Sequence, residues 1–122
     1  KDPYFSGNPP EPLINYLDEL KNILLQKKEE GFKTLGIVFD GDGDRIAVID
    51  EKGRYCSTQV LLPYFINFLG KKAQNNYPVI KTVSGSDVIT KIAEGQNRNV
   101  FELPVGFKHI AEKMIKEKIL IG

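Results

Sequence analysis

The chain is constrained most by one stretch, GIVFDGDGDRIAVID, which occupies residues 36–50. Two short apolar runs, rich in β-branched residues, stand on either side of the segment DGDGDR. Runs of this kind are typical of strands, so the acidic segment is predicted to be a loop between two strands. That loop concentrates the like charges of Asp40, Asp42 and Asp44, and such an arrangement needs a counter-charge.

The glycines between the aspartates allow the loop to bring the three side chains together. In an extended segment, alternate side chains lie about 6.6 Å apart, which is too far for three carboxylates to share one ion. Gly41 and Gly43 relax the steric limits on φ and ψ, so the backbone can curl inward. Carboxylate oxygens with no His or Cys nearby suit Mg²⁺ or Ca²⁺ better than zinc or copper. We therefore expect Asp40, Asp42 and Asp44 to bind one of these two cations.

Arg45 follows the three aspartates directly. A guanidinium beside a carboxylate-bound cation is not needed for charge balance, but its fork can hold two phosphate oxygens while the metal holds another. Enzymes bind a phosphoryl group in transit with a metal ion and an arginine side chain placed at the same point. This combination favours phosphoryl transfer over a plain acidic turn with solvated carboxylates.

Two other families of acidic loop use similar residues. An EF-hand loop counted from Asp40 places Glu51 at position 12, but position 6 requires Gly and here is Arg45, and the flanks are strand-like, so we reject it. In an aspartyl phosphotransferase of the haloacid-dehalogenase type, Asp40 would be the nucleophile and Asp42 the acid/base. Asp44 stands where that family prefers Thr or Val. This alternative stays open, as does a non-catalytic metal-binding module.

Helical and strand patterns alternate along the rest of the chain. Leucines at 13, 17, 20 and 24 predict a helix that begins near Glu11 and ends near Glu30, before Gly31. The other predicted strands are a buried one at 34–39 and further ones at 46–49, at 78–83, at 100–103 and from Ile119. The other predicted helices run from 57 or 58 to 69, where Gly70 stops the helix, and over 87–94, between Ser86 and Gly95. A last helix is predicted from an apolar stripe at Phe107, Ile110, Ala111, Met114 and Ile115. This alternation predicts an α/β fold, and the turn around residues 53–57 is the best candidate for a domain boundary.

Composition excludes several classes of partner. With 17 Lys and Arg against 16 Asp and Glu, the net charge gives no support to a nucleic-acid or membrane partner. The longest apolar runs are far too short to cross a bilayer. Cys56 is the single cysteine, so no disulfide framework is possible, and we expect an inert side chain in a reducing, cytoplasmic setting.

The stretch GIVFDGDGDRIAVIDEKGR resembles the metal-binding loop of the α-D-phosphohexomutases, the phosphoglucomutase/phosphomannomutase family. The segments NPPEP at 8–12, TVSGSDVITKIA at 82–93 and ELPVGFKHIAEKM at 102–114 resemble other family segments in the same order, so the resemblance covers essentially the whole chain. It implies an α/β fold with mixed sheets layered between helices, in parts of two phosphohexomutase-type domains. Residues 1–54 would be the later part of the metal-binding second domain, and 55–122 most of the sugar-binding third domain, truncated before the sugar loop.

The resemblance also implies a reaction. Such enzymes interconvert hexose 1-phosphate and hexose 6-phosphate, with glucose or mannose as the sugar, through a phosphoserine enzyme and a bisphosphorylated intermediate. Asp40, Asp42 and Asp44 would hold Mg²⁺, and Arg45 would contact the phosphoryl group. No segment of this chain resembles the family's phosphoserine loop, its sugar loop or the phosphate-binding loop of its fourth domain. We therefore expect it to be a fragment that is inactive without the missing domains.

The resemblance assigns a second group of site residues near the end of the chain. Lys108 would be catalytic and substrate-binding together with Arg45, and Gly106 would help it to bind an anion at a helix N-terminus. The alternative for Lys108 is a solvated side chain on an amphipathic helix. Ser86 is a candidate substrate contact, although Gly85 replaces the family's usual Thr and a helix-capping role is favoured. His109 is expected to be structural.

Overall fold

A computed structural model describes Gly7 and residues 9–122, which divide into two compact units, Lys1–Thr58 and Gln59–Gly122. Both units combine helices with a small sheet, antiparallel in the first and parallel in the second. The predicted α/β class with mixed sheets is therefore confirmed.

The first unit is an antiparallel sheet with one long helix. A 3₁₀ turn at Ile14–Tyr16 precedes helix α1, Asp18–Glu29, and the strands are β1, Gly36–Phe39, β2, Ile46–Ile49, and β3, Tyr55–Cys56. The strands lie in the order β1-β2-β3, and Phe39 pairs with Ile46 at the end nearest the acidic loop. Leu17, Leu24 and Ile49 form the buried core between α1 and the sheet.

Helix α1 begins later than the leucine spacing predicts. Leu13 is extended, with φ −94° and ψ 144°, so the predicted start near Glu11 is wrong. The helix ends close to Glu30, as predicted. Gly31 follows with a φ of 91°, a left-handed conformation that residues with a Cβ rarely adopt. The amide of Gly31 donates to the carbonyl of Lys28, and the amide of Phe32 donates to that of Lys27. These two bonds form a Schellman motif, which satisfies carbonyls at the end of the helix.

Only one face of the first sheet is covered in the described part of the chain. Gly36, Ala47 and Ile49 are buried, whereas Ile37 and Phe39 are 52% and 59% exposed. The prediction of a buried strand at 34–39 is therefore wrong in two respects, since β1 begins at Gly36 and alternate side chains point away from the core. The cause is the period of a strand, which turns successive side chains to opposite faces.

The second unit alternates helices with parallel strands. Its elements are α2, Thr58–Lys72, β4, Val79–Thr82, α3, Asp87–Glu94, β5, Val100–Leu103, and α4, Phe107–Lys116. Strands β4 and β5 are parallel and in register, and Ile121 forms a parallel bridge to Val79 on the other side of β4. The core consists of four fully buried or nearly fully buried residues: Ile66, Val79, Ile89 and Ala93.

Helix α2 continues through Gly70, which the sequence predicts as its stop. A Cβ at Gly70 would overlap the side chain of Gln96 and come within 3.1 Å of Arg98 Nε. Arg98 is buried and donates from Nη2 to the carbonyl of Gly70 at 3.0 Å. Gly70 is thus required for close packing and does not end the helix. At 15 residues α2 is too short to cross a membrane, and no other described helix is long and apolar enough to do so.

Candidate metal centre

The acidic loop, residues 40–45, closes the hairpin between β1 and β2. The amide of Asp40 donates to the carbonyl of Arg45 at 3.4 Å, and Gly43 turns the backbone with a φ of 79°. One carboxylate oxygen from each of Asp40, Asp42 and Asp44 lies within 4.8 Å of the other two. The loop therefore converges the three side chains that the sequence predicts as metal ligands.

Asp40 is the buried member of the group. Its Oδ1 accepts hydrogen bonds from the amides of Gly43, at 2.9 Å, and Arg45, at 3.2 Å. Its Oδ2 accepts from the guanidinium Nε of Arg45 at 2.5 Å. Burial by itself would raise the pKa of Asp40, but the hydrogen bonds from the side chain and backbone of Arg45 outweigh it and hold the pKa well below the ordinary value.

Asp42 and Asp44 are exposed beside this buried carboxylate. Contact with the Asp40 carboxylate, and then the charge of Asp42, raise the pKa of Asp44 above its ordinary value. Arg45 acts in the opposite direction and does not cancel this effect. The guanidinium therefore leaves part of the like-charge repulsion in the loop uncompensated.

The donor set and its spacing fit a hard divalent cation. Mg²⁺ binds oxygen at about 2.0–2.1 Å in octahedral geometry, so neighbouring ligand oxygens lie about 2.9 Å apart and opposite ones about 4.1 Å apart. The three carboxylate oxygens lie within 4.8 Å of one another, so the side chains must approach by up to about 2 Å to bind one ion together. The exposure of Asp42 and Asp44 also leaves room for the waters that Mg²⁺ usually keeps.

Arg45 is placed among several carboxylates. Its Nε lies 2.5 Å from Asp40 Oδ2 and 3.6 Å from Asp44 Oδ1, and its Nη1 lies 3.8 Å from Glu11 Oε1. The hydrogen bond to Asp40 is the main cause that raises the pKa of the guanidinium above its ordinary value. More than half of the Arg45 side chain remains exposed, so its fork can also reach an anion from solvent.

The Pro-rich segment before α1 packs against the acidic loop. The amide of Gly41 donates to the carbonyl of Pro10 at 3.0 Å, and a Cβ at Gly41 would lie 3.3 Å from the Pro10 ring. Sequence reasoning used this NPPEP segment only as a resemblance and missed Glu11 as a partner of Arg45. No local signal reveals that pair, because the two residues come together only through the fold. Asn8, the first residue of the segment, lies outside the described residues.

The remaining predicted site residues lie in the second unit. Ser86 caps α3, since its Oγ accepts from the amide of Val88 at 3.2 Å. Gly106 is the N-cap residue of α4 and has a φ of 133°, which favours glycine. Lys108 is exposed in the first turn of α4, and no carboxylate of the described chain lies within ion-pairing distance of it.

A buried lysine in the second unit was also missed. Lys81 is 6% exposed and pairs with Glu102 at 2.9 Å, its register partner on β5, and with Asp87 at 3.6 Å. The hydrogen bond to Glu102 raises the pKa of Lys81 against the opposing effect of burial. A lysine in the apolar strand segment VIKT, opposite a glutamate in VFEL, is the sequence signal that could have identified this pair.

Comparison with known proteins connects both units to one family of enzymes. The family model described as phosphoglucomutase/phosphomannomutase, alpha/beta/alpha domain II matches residues 1–53, and that of domain III matches residues 58–122. A phosphoglucosamine mutase of Methanocaldococcus jannaschii is 31% identical over 99% of this chain and 27% of its own length. A phosphoglucosamine/phosphogalactosamine mutase of Sulfurisphaera tokodaii is 32% identical over 99% of this chain and 26% of its own length.

A solved structure shares the fold as well. The crystal structure of a proposed phosphomannomutase from Thermus thermophilus matches with a TM-score of 0.82 and 25% identity, over 94% of this chain and 25% of that one. The chain thus spans about a quarter of the length of the relatives that it matches.

Proposed function

Since the chain belongs to the phosphoglucomutase/phosphomannomutase family, we propose that it is part of a cytoplasmic isomerase that interconverts hexose 1-phosphates and hexose 6-phosphates. The observation that carries this proposal is the loop at residues 40–45, where three carboxylates converge beside one guanidinium. A divalent cation and an arginine at one point can together hold a phosphoryl group in transit. Several relatives are named phosphoglucosamine mutases, so glucosamine phosphate is the first substrate to test, followed by glucose and mannose phosphates.

Asp40, Asp42 and Asp44 would hold Mg²⁺, which supplies charge neutralisation at the phosphoryl group when it is bound. Arg45 would bind phosphoryl oxygens through the exposed part of its fork. Lys108 and the helix N-terminus at Gly106 would bind a second anionic part of the substrate. The hydroxyl of Ser86 accepts its capping bond and keeps a hydrogen to donate to the sugar phosphate.

The phosphoryl carrier in this proposal is a phosphoserine of the same enzyme outside residues 1–122, and the reaction passes through a hexose bisphosphate. The haloacid-dehalogenase-type alternative would instead make Asp40 the nucleophile. Both oxygens of Asp40 already accept hydrogen bonds from N–H donors, which stabilise the carboxylate and reduce its reactivity. This observation favours the mutase.

Metal binding by the 122-residue chain tests the assignment of the loop. We expect calorimetry to show weak Mg²⁺ binding that Asp42→Asn abolishes, because Mg²⁺ uses few protein ligands and each one counts. Glu51→Gln is the matched control, since Glu51 is an exposed carboxylate in the turn after β2 and is not part of the cluster. Equal Mg²⁺ binding by the wild type and Asp42→Asn would remove the metal assignment.

Activity is tested in a chimera, because the chain alone lacks a phosphoryl carrier in this proposal. This chain would replace the aligned 121 residues of the M. jannaschii mutase. We expect turnover of glucosamine phosphate by the chimera, loss of turnover with Asp42→Asn, and none with the isolated chain. A hydroxylamine-sensitive acyl phosphate on Asp40 of the isolated chain would instead establish the dehalogenase-type alternative.

A further inference from the structure

Asp40 has two tasks, which compete for the lone pairs of its two carboxylate oxygens. It is a proposed ligand of the cation, yet its Oδ2 accepts the short bond from Arg45 Nε and its Oδ1 accepts two backbone bonds. An oxygen that turns to a divalent cation weakens its bond to a guanidinium, since the two positive charges repel each other. Arg45 therefore needs a second carboxylate if it is to stay beside the loop when a cation binds.

Glu11 is placed to be that carboxylate. Its Oε1 lies 3.8 Å from Arg45 Nη1, whereas Asp40 and Asp44 face Nε. Glu11 is also outside the group of carboxylates that converge for a metal. It can thus pair with one edge of the guanidinium while Asp40 serves the cation.

The backbone around Glu11 is fixed relative to the acidic loop. Its own amide donates to the carbonyl of Pro9 at 2.8 Å, and the carbonyl of the preceding residue, Pro10, accepts from the amide of Gly41. On the other side, the hydroxyl of Tyr55 donates to the carbonyl of Pro12 at 3.0 Å, and Pro12 is buried. A carboxylate on such a braced segment holds its partner with less loss of freedom than one on a mobile loop.

We infer that Glu11 is a positioning residue that takes over the guanidinium of Arg45 when Asp40 turns to the cation. This inference rests on the proposed function for the metal. Cation binding and the position of the arginine are therefore coupled: the cation displaces Arg45 from Asp40, and Glu11 keeps Arg45 at the phosphoryl site. Glu11 itself contacts neither the cation nor the substrate.

The first test is made on the Mg²⁺-saturated chain, in which Asp40 has turned to the cation. The ¹⁵N relaxation of Arg45 Nε would be measured in the wild-type chain, in Glu11→Gln, in Glu11→Asp and in Glu29→Gln, an exposed carboxylate on α1 that serves as the control. We expect Glu11→Gln to increase the mobility of the Arg45 side chain, Glu11→Asp to restore part of the order, and Glu29→Gln to have no effect. Equal mobility in all four proteins would overturn the inference.

The second test measures the Mg²⁺ dissociation constant in a double-mutant cycle with Arg45→Gln. We expect Glu11→Gln to weaken Mg²⁺ binding about two- to fivefold when Arg45 is present, the size of an exposed ion pair, and to have little effect in Arg45→Gln. The same weakening in both backgrounds would show a simple charge effect and overturn the coupling. Failure of the wild-type chain to bind Mg²⁺ would overturn the metal assignment and the takeover with it, whereas Mg²⁺ binding with equal Arg45 mobility in all four proteins would overturn the takeover alone.

Discussion

Replacement of Gly70 by alanine tests the packing at the end of α2. Alanine normally stabilises a helix interior over glycine by about 1 kcal/mol. Here the new Cβ would overlap Gln96 Oε1 and lie 2.8 Å from Gln96 Cδ. Gln96 cannot move without loss of two hydrogen bonds, one from its Nε2 to the carbonyl of Asn67 and one to its Oε1 from Arg98 Nε.

The opposing contributions give a net effect of definite sign. Two hydrogen bonds are worth about 2 kcal/mol together, which exceeds the gain in helix propensity, so Gly70→Ala should destabilise the second unit by about 1 kcal/mol. In a unit of this size, Gln59–Gly122, that difference lowers the Tm by about 4–8 °C. Urea unfolding followed by circular dichroism would measure it as a lower midpoint with an unchanged slope.

A second variant separates the clash from any other effect of the alanine. In a Gln96→Ala background the overlap is absent and only a small adjustment of Arg98, 3.1 Å from the Cβ, is needed. Gly70→Ala should then be neutral or stabilising by up to about 1 kcal/mol. The reasoning is refuted if Gly70→Ala stabilises the wild type, or if its effect has the same sign and size in both backgrounds.

Two further predictions concern individual charges. In a mutase that contains this chain, Lys108→Ala should lower kcat/KM about 100-fold, because the lysine would neutralise substrate charge. The Tm should be unchanged or higher, because a lysine in the first turn opposes the helix dipole. Wild-type kinetics would show that Lys108 is a solvated side chain on the helix face. Hydrogen bonds from Arg54 lower the pKa of Asp50 from 3.8 to about 2, so the stability that Asp50 contributes is complete above pH 3.8 and is lost as the pH falls towards 2. An NMR titration that places the Asp50 carboxyl near 3.8 would contradict this.

Local signals in the sequence predict the local parts of the fold well. Helix α3 begins after Ser86 and ends before Gly95 as predicted, because a cap hydrogen bond and a helix-ending glycine act within a few residues. The convergence of the three aspartates is local too, since glycines in the same loop provide the turn. These features could be predicted because the residues that determine them lie within a few positions of one another in the sequence.

Features that depend on distant residues were predicted less well. In the sequence, Gly70 is typical of a residue that ends a helix, but a glycine is needed there because Gln96 and Arg98 pack close to its backbone. The exposure of Ile37 and Phe39 depends on which face of the sheet α1 covers, and a run of apolar residues does not reveal this. Glu11 and Arg45 meet only because the Pro-rich segment packs on the acidic loop.

The charge of the loop predicts a limit to what this chain can bind. Asp40, Asp42, Asp44 and Glu11 carry four negative charges when ionised, and Arg45 is the one cation that pairs with them in the described chain, so the group has a net charge of −3. A bound divalent cation reduces this to −1, which still repels a phosphate anion at close range. Phosphate binding therefore requires cations from outside the loop. We expect inorganic phosphate to show no binding at the loop in a calorimetric titration of the Mg²⁺-loaded chain, with a complete mutase as the positive control. A phosphate-dependent shift of the Arg45 Nε–H signal in the isolated chain would show that the loop is sufficient and would refute this charge argument.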